Sequence, residues 1–86
     1  MDFEFDPHKR TGNKEKHGID FVVAQELWND DQRIVFPACT VDEERFIMIG
    51  VVENKHWTVI YTIRGKNIRI ISVRRARKEE VNLYEG

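Results

Sequence analysis

The stretch "HWTVIYTIRGKNIRIISVR", residues 56–74, decides the fold. Its first run carries Trp57, Val59, Ile60, Tyr61 and Ile63, its second Ile68, Ile70, Ile71 and Val73, and the polar link Arg64-Gly65-Lys66 lies between them. Aromatic and β-branched residues around a glycine-containing link spell a β-hairpin. With Gly65 and Lys66 as its two-residue turn, Ile63 faces Ile68 and Tyr61 faces Ile70, and Trp57 and Val59 continue that side, which belongs to the core. The opposite side carries Arg64, Thr62 and Arg69, with Thr58 and His56 further along. A shift of one residue would redistribute all of these side chains.

Upstream, "RIVFPAC" (33–39) and "RFIMIGVV" (45–52) have the same β-rich character, and the links "TVDEE" and "ENK" are short. Short links make antiparallel neighbours, so the four runs form a meander. "FEFD" (3–6) alternates and reads as a short edge strand. Asp6 followed by Pro7 signals a helix start and Gly18 suits its end. That helix, "PHKRTGNKEKH", has no large apolar residue and carries Gly12 in its middle, so something other than an apolar face must hold it. In "IDFVVAQELWND" Asp20 caps a second helix with Phe21, Ala24, Leu27 and Trp28 at helical spacing. After Val73 the β-branched character fades into a C-terminal helix. The order β-α-α-β-β-β-β-α describes an α+β domain, helices against a curved antiparallel sheet, spanning residues 1–86.

The chain has 86 residues, 41% of them hydrophobic and 34% charged, the balance of an ordered domain. Its apolar runs are too short to span a membrane, and the acidic start "MDFEFDPHKR" is unlike a secretory signal. Cys39 is the single cysteine, so there is no internal disulfide and no cysteine cluster, and a reducing cytoplasm is the expected compartment. The net charge of −1 conceals a polarity. Residues 20–44 hold seven acids (Asp20, Glu26, Asp30, Asp31, Asp42, Glu43, Glu44) against Arg33 alone, and residues 64–78 hold seven bases (Arg64, Lys66, Arg69, Arg74, Arg75, Arg77, Lys78) and no acid. The basic end can sustain a positive potential that the total hides.

Arg64 and Arg69 beside Thr58 and Thr62 form a candidate phosphate-binding floor, since the guanidinium fork matches phosphate oxygens; the alternative is a solvated sheet face. Arg45 opens its strand on the side of Ile47, Ile49 and Val51, either as a further anion contact or as a snorkelling edge residue. Ala76, Glu80 and Tyr84 recur at i, i+4 and i+8 and share one helix face. Tyr84 can stack on a base or donate a proton, and Glu80 can orient an arginine or accept one. Alternatively Tyr84 and Val81 pack and Glu80 pairs with Arg77. His17, at a helix C-terminus, has a structural reason to be there through the dipole. No pair of histidines has metal-ligand spacing, and no zinc, Walker or dinucleotide motif is present, so no cofactor is expected.

Together, "NKEKHGIDF" (13–21), "ERFIMIG" (44–50), "YTIRG" (61–65), "IRIISVRRA" (68–76), Glu80 and Tyr84 resemble the BrnT family of toxins from type II toxin–antitoxin systems, in order and over essentially the whole chain. The resemblance implies a RelE-like fold and RNA cleavage without metal. It also implies a BrnA-type antitoxin bearing a ribbon-helix-helix DNA-binding region, in a toxin–antitoxin complex that is a heterotetramer and binds operator DNA through the antitoxin. The chain departs from the family pattern at Val81 and Asn82, where further basic residues are expected, and at Val73, where alanine is more usual.

Metal-free cleavage uses the 2′-OH as nucleophile and needs a proton acceptor, charge stabilisation at phosphorus and a proton donor. On this reading the catalytic candidates are His17, Arg64, Arg74, Glu80 and Tyr84, and Lys16, Arg45, Arg69, Arg75 and Arg77 contact RNA. The first helix is expected to lean over the polar sheet face and deliver His17. Two other functions fit the residues: a non-catalytic RNA- or DNA-binding module, and a structural subunit whose basic face docks an acidic protein.

Overall fold

The computed structural model describes residues 2–38 and 43–86; Cys39 and Asp42 of the sequence reading lie outside them. Its elements follow the expected order: β1 (Asp2–Glu4), α1 (Pro7–His17), α2 (Phe21–Ala24), β2 (Ile34–Ala38), β3 (Arg45–Val52), β4 (Lys55–Arg64), β5 (Asn67–Arg75) and α3 (Lys78–Glu85). The four runs form the expected antiparallel meander, and the hairpin register is as read, with Ile63 opposite Ile68 and Tyr61 opposite Ile70. The sheet has a fifth strand. β1 pairs in parallel with β5, Phe3 opposite Ile68, which gives the order β1-β5-β4-β3-β2 and a mixed rather than purely antiparallel sheet. That strand occupies Asp2–Glu4 rather than residues 3–6, because Asp6 is already committed as the cap of α1, accepting from the His8 N–H at 2.8 Å.

The core lies between one face of this sheet and the two N-terminal helices. Phe21, Ala24 and Leu27 are fully buried against Met48, Val59, Ile70 and Val73. Only one turn of the second helix is α; Gln25–Asn29 tightens into a 3₁₀ helix. Trp28 sets its ring edge-on to Phe3 and to Tyr61, closing the core toward β1.

α1 is as polar as its residues require, and a single side chain pins it. Asn13, 8% exposed, donates through Nδ2 to the Ile19 carbonyl at 3.1 Å and accepts the Val73 N–H through Oδ1 at 3.0 Å. It thereby satisfies two buried backbone groups, one in the link between α1 and α2 and one at the edge of β5 beyond the reach of β1. Gly18 ends the helix in the left-handed region, φ 76°, with its N–H on the Lys14 carbonyl. α1 therefore packs on β5 beside α2 and not over the polar sheet face, which corrects the expectation for His17.

β5 contains a β-bulge. Tyr61 pairs with Ile70 but Ile60 pairs with Ser72, so Ile71 is the extra residue. Alternation resumes one position later. Val73 then faces the core opposite Val59, Arg75 opposite Trp57 shares that side, and Arg74 opposite Thr58 faces the other. The strand also runs to Arg75, with the Ala76 N–H bonded to the His56 carbonyl, so Ala76 precedes α3 and does not share its face with Glu80 and Tyr84.

Candidate functional site

The sheet face away from the core is built in rows. Cross-strand pairing sets Arg45, Thr62 and Arg69 side by side on β3, β4 and β5, with Arg64 at the end of β4. Neighbouring strands are about 4.8 Å apart, so Arg45 and Arg69 stand about 10 Å from each other across Thr62. Half-buried Phe36, Ile47 and Ile60 form the next row. Ile49, Thr58 and Arg74 follow, and α3 covers this end. Thr58 lies four positions along β4 from Thr62 of the arginine row, about 13 Å.

Carboxylates accompany the cations of this face. Glu4 lies 3.4 Å from Arg69 and also accepts from Asn67. Glu43 lies between Arg45 (3.9 Å) and Arg64 (3.7 Å). Arg45 Nε is buried without a hydrogen-bond acceptor among the described residues. Thr62, 2% exposed, gives its hydroxyl to the Glu44 carbonyl.

The tightest cluster joins β4, β5 and α3. Arg74 binds Glu80 through two parallel bonds, Nη1 to Oε1 at 2.7 Å and Nη2 to Oε2 at 2.9 Å. Glu80 Oε1 also accepts the Thr58 hydroxyl and the Arg77 N–H. The Glu80 partner is thus Arg74; from Arg77 it takes only a backbone bond. Both side chains are largely shielded, 21% and 15% exposed. The Arg74 guanidinium holds the Glu80 carboxyl down at about 2 against the opposing effect of burial, helped by the Arg77 and Thr58 bonds, and Glu80 raises Arg74 in return.

Tyr84 gives its hydroxyl to Asp30 Oδ2 at 2.7 Å, and the same oxygen accepts the Val51 N–H while Oδ1 takes that of Gln32. The bond to Asp30, with burial, pushes the Tyr84 phenol up to about 12, so it is protonated throughout the neutral range. Burial works to raise Asp30, but the bonds from Tyr84, Gln32 and Val51 outweigh it and keep the group low. His56, next along β4, packs edge-on to Tyr84 and sets Nε2 3.0 Å from Glu85. The alternation of β4 puts His56 on this face from sequence alone but gives it no role there; its partner Glu85 comes from the last turn of α3, beyond any local pattern.

The structure thus brings Arg45, Arg64, Arg69, Arg74, Glu80 and Tyr84 to one face and leaves others off it. His17 and Arg75 line a cavity on the core side with Trp57, Lys16 is exposed on the last turn of α1, and Arg77 stands exposed at the N-cap of α3. Among the described residues no three His, Cys, Asp or Glu side chains converge as metal ligands, and no helix is long and apolar enough to cross a membrane.

A family model described as "Ribonuclease toxin, BrnT, of type II toxin-antitoxin system" matches residues 5–80. No curated protein matches the chain.

Proposed function

The chain belongs to the BrnT family of type II toxin–antitoxin ribonuclease toxins, and we propose that it cleaves RNA without a metal on the sheet face that α3 partly covers. The arginine row carries this reading: Arg45 and Arg69 flank Thr62 with Arg64 at its end, on a face whose central Phe36, Ile47 and Ile60 lie half-buried. Three permanently charged forks beside an aromatic and aliphatic trough suit single-stranded RNA, phosphates on the arginines and a base against Phe36.

The scissile phosphate then lies toward α3. His56 takes the 2′-OH proton as O2′ attacks phosphorus, and Glu85 steadies the imidazolium that forms. Arg74, with three of its five N–H groups committed to Glu80 and the Arg75 carbonyl, offers the rest to the charge growing on the phosphate. The P–O5′ bond breaks, O5′ receives a proton from the Tyr84 phenol as its hydroxyl turns from Asp30, and the products are a 2′,3′-cyclic phosphate and a 5′-hydroxyl; the proton taken by His56 returns to the phenolate through water and resets both groups. Glu80, held ionised, positions Arg74 rather than moving protons. The partner in this proposal is a BrnA-type antitoxin with a ribbon-helix-helix region, in a heterotetramer that binds operator DNA, and the compartment is the cytoplasm.

The test is cleavage of a defined RNA in EDTA by wild type, His56→Ala and Arg69→Ala, with the ends mapped. The expected result is cyclic-phosphate ends from wild type and a loss of about 10²-fold or more in His56→Ala, the low end of what a positioned acid–base group contributes. Full activity in a folded His56→Ala protein overturns the proton assignment. Intact RNA that binds stoichiometrically would instead identify a non-catalytic binding module.

A further inference from the structure

On the polar face each base of the candidate site has a carboxylate at hand: Glu43 for Arg45 and Arg64, Glu4 for Arg69, Glu80 for Arg74, Glu85 for His56. The core side of the sheet differs. A half-open cavity of about 360 Å³ is lined there by Lys14, His17, Lys55, Trp57 and Arg75, with Asp20 and Glu53 as its acids. Both Asp20 oxygens are taken by Arg10, at 2.8 and 2.9 Å, and its Oδ1 also by the Val22 N–H. Asp20 still lies within electrostatic reach of Lys14, which leaves Glu53 as the acid of this lining to stand against Lys55 and Arg75. Among the described residues neither Lys55 nor Arg75 has a carboxylate partner within ion-pair distance.

Arg75 is also positioned. Trp57 is buried and fixed by its indole N–H on the Val52 carbonyl, and the Arg75 guanidinium lies 5.4 Å from the centre of its ring. A cation–π contact holds the guanidinium through its face and leaves its N–H edge free for an anion. Lys14 and His17 come from the last turn of α1, where the helix dipole favours cations, and Lys55 opens β4.

We propose that this cavity is a second phosphate-binding site, which takes a backbone phosphodiester of the RNA strand beyond the point of cleavage. It rests on the ribonuclease reading above. Arg74 and Arg75 are consecutive, and the bulge at Ile71 turns one to the cleavage side and the other to the cavity, so one strand rounding the end of β5 meets both. The cavity adds length-dependent affinity, and a fragment confined to the polar face does not feel it.

Two measurements test this. The first is binding of 2′-O-methyl oligouridylates, which lack the nucleophile, at four and at twelve nucleotides over a range of salt. A Lys55→Ala/Arg75→Ala protein should bind the longer oligomer about tenfold more weakly, with the slope of log K against log salt reduced by about 1.4, the share of two phosphate contacts to a single strand. It should bind the shorter one as wild type does. Unchanged affinity for the longer oligomer, or equal loss for both, overturns the proposal. An Arg45→Ala/Arg69→Ala protein reports separately on the ribonuclease reading, since it should lose affinity for both lengths. The second is NMR titration with inorganic phosphate, independent of RNA: the Trp57 indole signal should shift saturably while that of Trp28, the other tryptophan, stays in place. No shift at Trp57, or equal shifts at both, overturns it.

Discussion

Replacing Glu80 with Gln isolates the strongest polar contact in the molecule. The carboxylate receives four donors, two from Arg74 and one each from Thr58 and the Arg77 backbone. A carboxamide keeps one oxygen and turns its other end, a donor, toward the second Arg74 N–H. The fall of Glu80 from its ordinary 4.5 to about 2 corresponds to roughly 3 kcal/mol of stabilisation of the ionised form in the folded state. Because both side chains keep some contact with water, the expected loss at neutral pH is about 2 to 3 kcal/mol, toward the lower end of the cost of breaking a shielded pair. In a domain of this size that lowers the melting temperature by about 10 to 20 °C. The pH dependence has a definite sign. A carboxyl with a depressed folded pKa stabilises above its unfolded value and loses that contribution as pH falls through its folded value. The gap between wild type and Glu80→Gln should therefore be full above about pH 5 and about half as large near pH 3. Urea unfolding followed by tryptophan fluorescence at both pH values measures it. A gap below about 0.5 kcal/mol at pH 7, or one of constant size down to pH 3, would refute the assignment.

Asn13→Ala strips the partners from the Val73 N–H and the Ile19 carbonyl and should cost about 2 to 4 kcal/mol in urea unfolding, with α1 amides losing hydrogen-exchange protection first. Both tyrosines are raised, Tyr84 by its bond to Asp30 and Tyr61 by burial, so at pH 10, where the urea-unfolded chain is about half ionised, the folded protein should show clearly less tyrosinate absorbance than the unfolded chain; equal absorbance would refute both assignments. Gly50→Ala would set a methyl 3.2 Å from Leu27 Cδ2 and 3.4 Å from Asp30 Oδ2, and should destabilise by about 1 to 3 kcal/mol; a variant as stable as wild type would show that this approach relaxes freely.

Local physics made much of this legible in the sequence. The caps Asp6, Gly18 and Asp20 are short-range chemistry, and the β4–β5 register follows from one turn and one alternating pattern, so the residue order alone puts Arg64, Arg69, Thr58, Thr62 and His56 on a common face. What escaped depends on distance or on a single extra residue. β1 joins β5 across more than sixty positions, and nothing in "DFE" encodes a parallel partner. Asn13 reads as an ordinary polar helix residue until two backbone groups from elsewhere converge on it. The resting place of α1 follows from that contact, and the placement of His17 follows in turn. The Arg74–Glu80 pair spans the strand-to-helix corner, where neither period applies, so an i, i+3 pairing of Arg77 with Glu80 is equally compatible with the residue spacing.

The bulge at Ile71 acts as a parity switch. Were Ile71 paired in turn with Ile60, Ser72 would enter the core, Val73 would go out to the polar face, and the two arginines would trade sides, with Arg74 opposite Trp57 and Arg75 among the groups now around Thr58 and Glu80. Excising Ile71 would leave every side as it is and only mend the ladder. Two neighbouring arginines of identical chemistry owe their separate surroundings to counting alone. A chain related to this one can therefore carry the same arginine pair at the same spacing and present it inside out, according to whether the extra residue after the partner of Tyr61 is bulged out or paired in turn.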